Sequence, residues 1–232
     1  MRIVVLTAAL LLVAGCSNSA DEAGEQYKSL TPIPSKSTTT SAVTPTSTTP
    51  TSPVPAAPPA AGAPIKAVTS WVEAGGKVEP DGFHTATRDG QTTDLGDDVA
   101  FVTPSGTSRC MTDSKYSEGA LACLVRLSDP PERPAGAEGE WIGGWVDFTG
   151  NEVQIGSLHG DPGRFTAGDG PALDYGRTLR FADYQCRSDP TGLYCVDFAN
   201  QTGIRLSDAG VEPFGCLRET EPAEAVGQQY SC

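Results

Sequence analysis

Positive charge is scarce in this 232-residue sequence: 16 Lys and Arg stand against 29 Asp and Glu, a formal net charge of −13. A surface of that sign repels nucleic acid and anionic lipid headgroups alike, so nucleic acid is excluded as a partner. Histidine is nearly absent as well, with only His84 and His159 to serve as the base of a nucleophilic hydrolase. Ser157, His159 and Asp161 lie too close along one loop to be taken for a triad, and His159 reads as a surface loop residue. There is no Gly-x-Ser-x-Gly elbow and no Cys-x-x-Cys pair, so no catalytic residue, no metal-ligand set and no cofactor stands out. Asp94, Asp97 and Asp98, and Asp161, Asp169 and Asp174, are oxygen donors of the kind calcium takes. They lack EF-hand spacing and read as turn aspartates.

Long hydrophobic runs are missing too. The longest is the eleven residues from Ile3 to Val13, whereas a membrane-crossing helix needs about 20. That run follows Met1-Arg2 and leads into Leu12-Val13-Ala14-Gly15-Cys16, the pattern of a bacterial lipoprotein signal. Residues 1–15 are then a signal peptide. Cys16 becomes the lipidated first residue, held stably because two or three acyl chains exceed the marginal single-chain case. The expected location is the extracytoplasmic face of the cell membrane, contacted through the N-terminal acyl chains.

Residues 16–64 read as a disordered stalk. From Thr31 to Pro64, 29 of 34 residues are Ser, Thr, Pro or Ala and none is aromatic, so the segment cannot bury a core and stays extended. Its use is reach, and its Ser/Thr-Pro tracts are of the kind that carries O-linked sugars.

Residues 65–232 suit one domain. Ile65, Val68, Trp71 and Val72 recur at helical spacing after Pro64 and before Gly75-Gly76, which predicts a single N-terminal helix docked through Trp71. Turn signals at Asp89-Gly90, Pro104-Ser105-Gly106 and Thr149-Gly150-Asn151 then separate short apolar runs, among them 99–102, 108–111, 120–127, 145–148, 153–155, 177–181, 193–198 and 203–206. Such a series predicts a mainly β fold, an antiparallel β-sandwich or small open barrel. With Cys16 set aside, six cysteines remain, which an oxidising exterior pairs. Six allow 15 connectivities, and the spacing favours nearest neighbours: Cys110–Cys123, Cys186–Cys195 and Cys216–Cys232. Trp141, Trp145 and Phe148 form the best ligand-face candidate if exposed. With Gly143-Gly144 between the tryptophans, they more simply describe a bulged strand whose aromatics fill the core.

Phe101-Val102-Thr103-Pro104-Ser105-Gly106 before Cys110, Leu173-Asp174-Tyr175-Gly176, Tyr184-Gln185-Cys186-Arg187-Ser188, Gly192-Leu193-Tyr194-Cys195 and Thr202-Gly203-Ile204-Arg205-Leu206-Ser207 resemble a family of secreted actinobacterial proteins of unknown function. The Gly-Glu-Trp-x-Gly-Gly-Trp-Val-Asp-Phe segment from Gly139 to Phe148, with the lipobox and stalk, is similar to mycobacterial lipoproteins of that group. Two departures are plain: Thr107 stands where the turn motif has Asn, and no cysteine precedes Gly168-Asp169. The resemblance implies a mycobacterial envelope and an all-β secreted domain, and carries over no catalytic residue. Together these readings point to a non-enzymatic envelope module that binds a glycan, peptide or protein. An envelope enzyme and a structural spacer are the alternatives.

Overall fold

The computed structural model describes residues 57–159 and 163–232, so the expected signal peptide, the expected lipidation site Cys16, most of the expected stalk and Asp161 lie outside the described residues. The strands are β1 Gly76–Val78, β2 Thr85–Arg88, β3 Gln91–Asp94, β4 Ala100–Val102, β5 Ser108–Met111, β6 Leu121–Val125, β7 Trp141–Phe148 and β8 Glu152–Leu158. They continue with β9 Arg177–Phe181, β10 Tyr184–Asp189, β11 Gly192–Asp197, β12 Thr202–Ser207, β13 Gly210–Phe214, β14 Arg218–Thr220 and β15 Val226–Ser231. Helix α1 spans Ile65–Glu73, α2 is the single turn Ser114–Ser117, and 3₁₀ turns occupy Pro80–Phe83 and Gly163–Ala167.

Two open sheets result, a six-stranded one in the order β1-β9-β10-β11-β12-β13 and a seven-stranded one in the order β14-β15-β8-β7-β6-β5-β4. All ladders are antiparallel except β1, which pairs parallel with β9. Alternation along each strand sends one set of side chains inward. Phe101, Leu121, Val146, Phe148 and Ile155 from one sheet thereby share a single core cluster with Leu179, Phe181, Leu193, Ile204 and Leu206 from the other. Tyr184 ties the layers together by donating its hydroxyl to the Phe148 carbonyl at 3.0 Å. The arrangement is the expected sandwich.

All three nearest-neighbour disulfides are present. Cys110 stands directly opposite Cys123 in the β5–β6 ladder, and Cys186 opposite Cys195 in the β10–β11 ladder. Both pairs are buried in the inter-sheet core. Cys216–Cys232 is exposed and fastens the crossover after β13 to the chain end.

Each sheet also carries a second layer on its outer face. On the six-stranded sheet, α1 buries Val68, Trp71 and Val72 against Tyr194, Val196 and Phe214, the i, i+3, i+4 stripe expected from sequence. Arg187 lies over the Trp71 ring at 3.8 Å and donates to its carbonyl at 2.6 Å. Contacts begin before Ile65, because Tyr194 donates its hydroxyl to the Pro59 carbonyl at 3.2 Å. On the seven-stranded sheet, Ala86, Ala100, Met111, Ala122, Trp145 and Phe165 form a separate cluster. The β2–β3 hairpin contributes Ala86 to this cluster and is joined to the chain just past the 163–167 turn by paired backbone hydrogen bonds between Thr87 and Asp169. The ladder between β7 and β8 shifts register between Ile142 and Val146, the bulge expected at Gly143-Gly144. A Cβ on Gly144 would come within 2.1 Å of the Val125 carbonyl oxygen, so only glycine lets these backbones approach so closely.

Candidate functional site

The three aromatics of the candidate ligand face do not share one. Trp145 and Phe148 are both 0% exposed, and their odd spacing sends them to opposite sides of β7. Phe148 enters the inter-sheet core and Trp145 the outer layer. Trp141, half-buried at the start of the strand, donates its indole N–H to the Pro131 carbonyl at 3.3 Å.

Around Trp145 lies a buried cluster of polar side chains. Asp147, two residues along the strand, shares its face, and its Oδ2 accepts the Trp145 indole N–H at 2.8 Å. His159, just past the end of β8, stacks on the Trp145 ring with centroids 3.6 Å apart, and its Nε2 lies 3.8 Å from Asp147 Oδ2. Arg164, from the 3₁₀ turn, brings Nη2 to 3.3 Å from Asp147 Oδ1. Phe165 closes the layer edge-on to Trp145 at 5.5 Å. Beyond it, Arg109 reaches over the Phe165 ring and pairs with Asp169 at 2.8 Å.

Electrostatics follow from that packing. Burial holds the His159 imidazole below its ordinary pKa, more than the nearby Asp147 carboxylate raises it, and the Arg164 guanidinium pushes the same way as burial. With its charge balanced by Arg164, Asp147 does not need a protonated His159. Asp147 Oδ1, His159 Nε2 and Arg164 Nη1 are each buried without a well-formed hydrogen bond among the described residues, so the carboxylate meets its neighbours through ion-pair contacts. The cluster pairs a carboxylate with an imidazole, yet no hydroxyl or thiol among the described residues is hydrogen-bonded to His159. Its chemistry is that of a charge cluster seated under an aromatic layer.

The other candidates have structural partners. His84 Nδ1 lies 2.9 Å from the Asp98 carbonyl. Asp98 accepts from the Thr112 hydroxyl and from both the amide and the hydroxyl of Ser114, and Asp94 caps the Gly96 amide. No group of three or more His, Cys, Asp or Glu able to hold a metal ion occurs among the described residues. Sequence reasoning passed over Asp147 and Arg164. The available signal was parity: two residues apart on one strand, Trp145 and Asp147 had to share a face.

No protein family, no curated protein and no solved structure matches the chain.

Proposed function

We propose that this protein is a lipid-anchored extracytoplasmic lipoprotein whose sandwich domain is a non-enzymatic binding module of the cell envelope, the compartment that the resemblance to secreted actinobacterial proteins implies. Cysteine usage carries the reading. Six of the seven cysteines pair within the domain, a pattern of oxidising compartments. The seventh, Cys16, sits at the end of the lipobox, where acylation would consume the odd thiol. The Ser/Thr/Pro stalk between anchor and domain supplies distance from the lipid surface. Binding is favoured over catalysis because Asp147 and His159, an acid–base pair among the described residues, spend their contacts on Trp145 and Arg164 inside a packed layer.

Metabolic labelling with an alkyne fatty acid tests the anchor. The wild-type protein should be labelled and partition with membranes, while Cys16→Ala should be unlabelled and released. Equal labelling and membrane recovery of the variant would overturn the reading.

A further inference from the structure

Three hairpin turns that are distant in sequence meet at one end of the sandwich: the β4–β5 turn (103–107) from the seven-stranded sheet, and the β10–β11 (189–192) and β12–β13 (207–210) turns from the six-stranded one. Between them lies a cleft of about 130 Å³. At ~30 Å³ per water molecule this is room for about four waters, well short of the ~300 Å³ of a drug-sized pocket. We propose that this cleft is a saccharide site that seats one edge of a single neutral glycan unit, a proposal that rests on the binding-module reading above.

The floor points to a ligand. Ser108 is 1% exposed and lines the cleft, and its Oγ has no hydrogen-bond partner, a vacancy that costs stability unless a guest or solvent fills it. Fully buried Ser188, opposite Leu193 in the adjoining ladder, has a second unpartnered hydroxyl but lies behind the lining. Leu193 and Leu206 add apolar carbon to the lining. Loop tips carried by a rigid sandwich are where such domains place recognition.

The lining selects the chemical class. It includes Asp189 and Asp208 and no Lys, Arg or His, and the nearby Arg126 guanidinium is engaged with the Ser105 carbonyl at 2.8 Å, so the carboxylates disfavour phosphate and carboxylate ligands. Asp189 already accepts through Oδ1 from the Thr191 amide and hydroxyl, which leaves Oδ2 as its free acceptor. Asp208 is exposed, so the buried end of the cleft offers hydroxyls and not the carboxylate cage that a metal or ammonium ion requires. The unpartnered Ser108 hydroxyl, lining hydroxyls that keep an acceptor lone pair beyond the bonds within their turns, carboxylate acceptors and a little apolar carbon match a neutral polyol ring.

The test is a thermal-shift and affinity series on the full-length protein in a non-glycosidic detergent. Probes are glucose, galactose, mannose, N-acetylglucosamine and their β-linked oligomers, run beside phosphate, calcium, spermidine and a random peptide library. A neutral sugar should stabilise the wild type, and its affinity should fall about fivefold in Ser108→Ala, the loss of one neutral hydrogen bond, and by a similar factor in Asp208→Asn, which turns a charge-assisted hydrogen bond into a neutral one. Tyr116→Ala, at an exposed ring on α2, should bind like wild type. Sugar binding unchanged by both cleft variants would overturn the site. Binding of another probe alone would overturn the saccharide class and leave the binding module standing. A folded protein that responds to no probe would count against both.

Discussion

Replacing Trp145 by Phe tests whether the outer-layer charge cluster acts as one unit. Phenylalanine keeps an aromatic ring between His159 and Phe165 but removes the indole N–H that Asp147 Oδ2 accepts at 2.8 Å. A hydrogen bond to a charged group contributes about 1.5–3 kcal/mol. The smaller ring forfeits roughly 40 Å² of buried area, about 1 kcal/mol at ~25 cal/mol per Å². The expected cost is therefore about 3 kcal/mol, a large share of the ~5–15 kcal/mol that stabilises a typical domain. Asp147→Asn alone strips Arg164 of the carboxylate 3.3 Å away and turns the indole bond into a neutral one. In that background Trp145→Phe should cost about 1 kcal/mol less, and this difference is the interaction energy of the double-mutant cycle. Equilibrium urea unfolding near neutral pH, followed by far-ultraviolet circular dichroism with the m values compared, measures all four proteins. A Trp145→Phe cost below about 1 kcal/mol, or a cycle additive within ~0.3 kcal/mol, would refute the coupling of indole, carboxylate and guanidinium.

Stability should also fall on acidification because of His159. Its folded-state pKa lies below the ordinary 6.5, so its contribution is complete above that value and is lost as pH drops from there towards the folded pKa. The urea midpoint should decline from pH ~7.5 to ~5, and His159→Gln should remove part of that decline; an identical decline in the variant would exonerate the imidazole. Gly170→Ala would put a Cβ 2.0 Å from the Ala100 carbonyl oxygen and should destabilise by about 2 kcal/mol or more. Gly82→Ala, with nothing within 4 Å, should stay within about 0.5 kcal/mol of wild type in the same unfolding assay. Under limiting reductant, the exposed Cys216–Cys232 bridge should open first, since the other four cysteines are at most 2% exposed. Its loss should cost about 3 kcal/mol for a loop of that length. Alkylation and peptide mapping check the order, and earlier labelling of Cys186 or Cys195 would contradict it.

Legibility in the sequence tracked how strongly each segment alternates. Runs such as 177–181 and 108–111 carry inward apolar residues at period two, and they match β9 and β5 residue for residue. The paired cysteines were readable for a related reason, since close spacing across a turn places them opposite one another in antiparallel ladders. From β13 to β15 that signal disappears: Pro213 interrupts one strand, β14 is exposed throughout, and Gln228-Gln229 occupy the middle of β15. These strands depend on ladder partners and on the Cys216–Cys232 clamp more than on apolar patterning, so local sequence could not announce them.

The polar cluster was hidden for a different reason. An aspartate on the outward face of a strand normally means solvent, and nothing near Asp147 reveals that the β2–β3 hairpin and the 163–167 turn cover that face of the sheet. Such a second layer is a tertiary fact, set by backbone hydrogen bonds between Thr87 and Asp169. Parity within β7 was nonetheless sufficient for half the inference. Residues 145 and 148 cannot point the same way on a regular strand, whereas 145 and 147 must. A ligand face built on Trp145 and Phe148 was therefore excluded by counting, and a Trp145–Asp147 contact was available to be found by the same count.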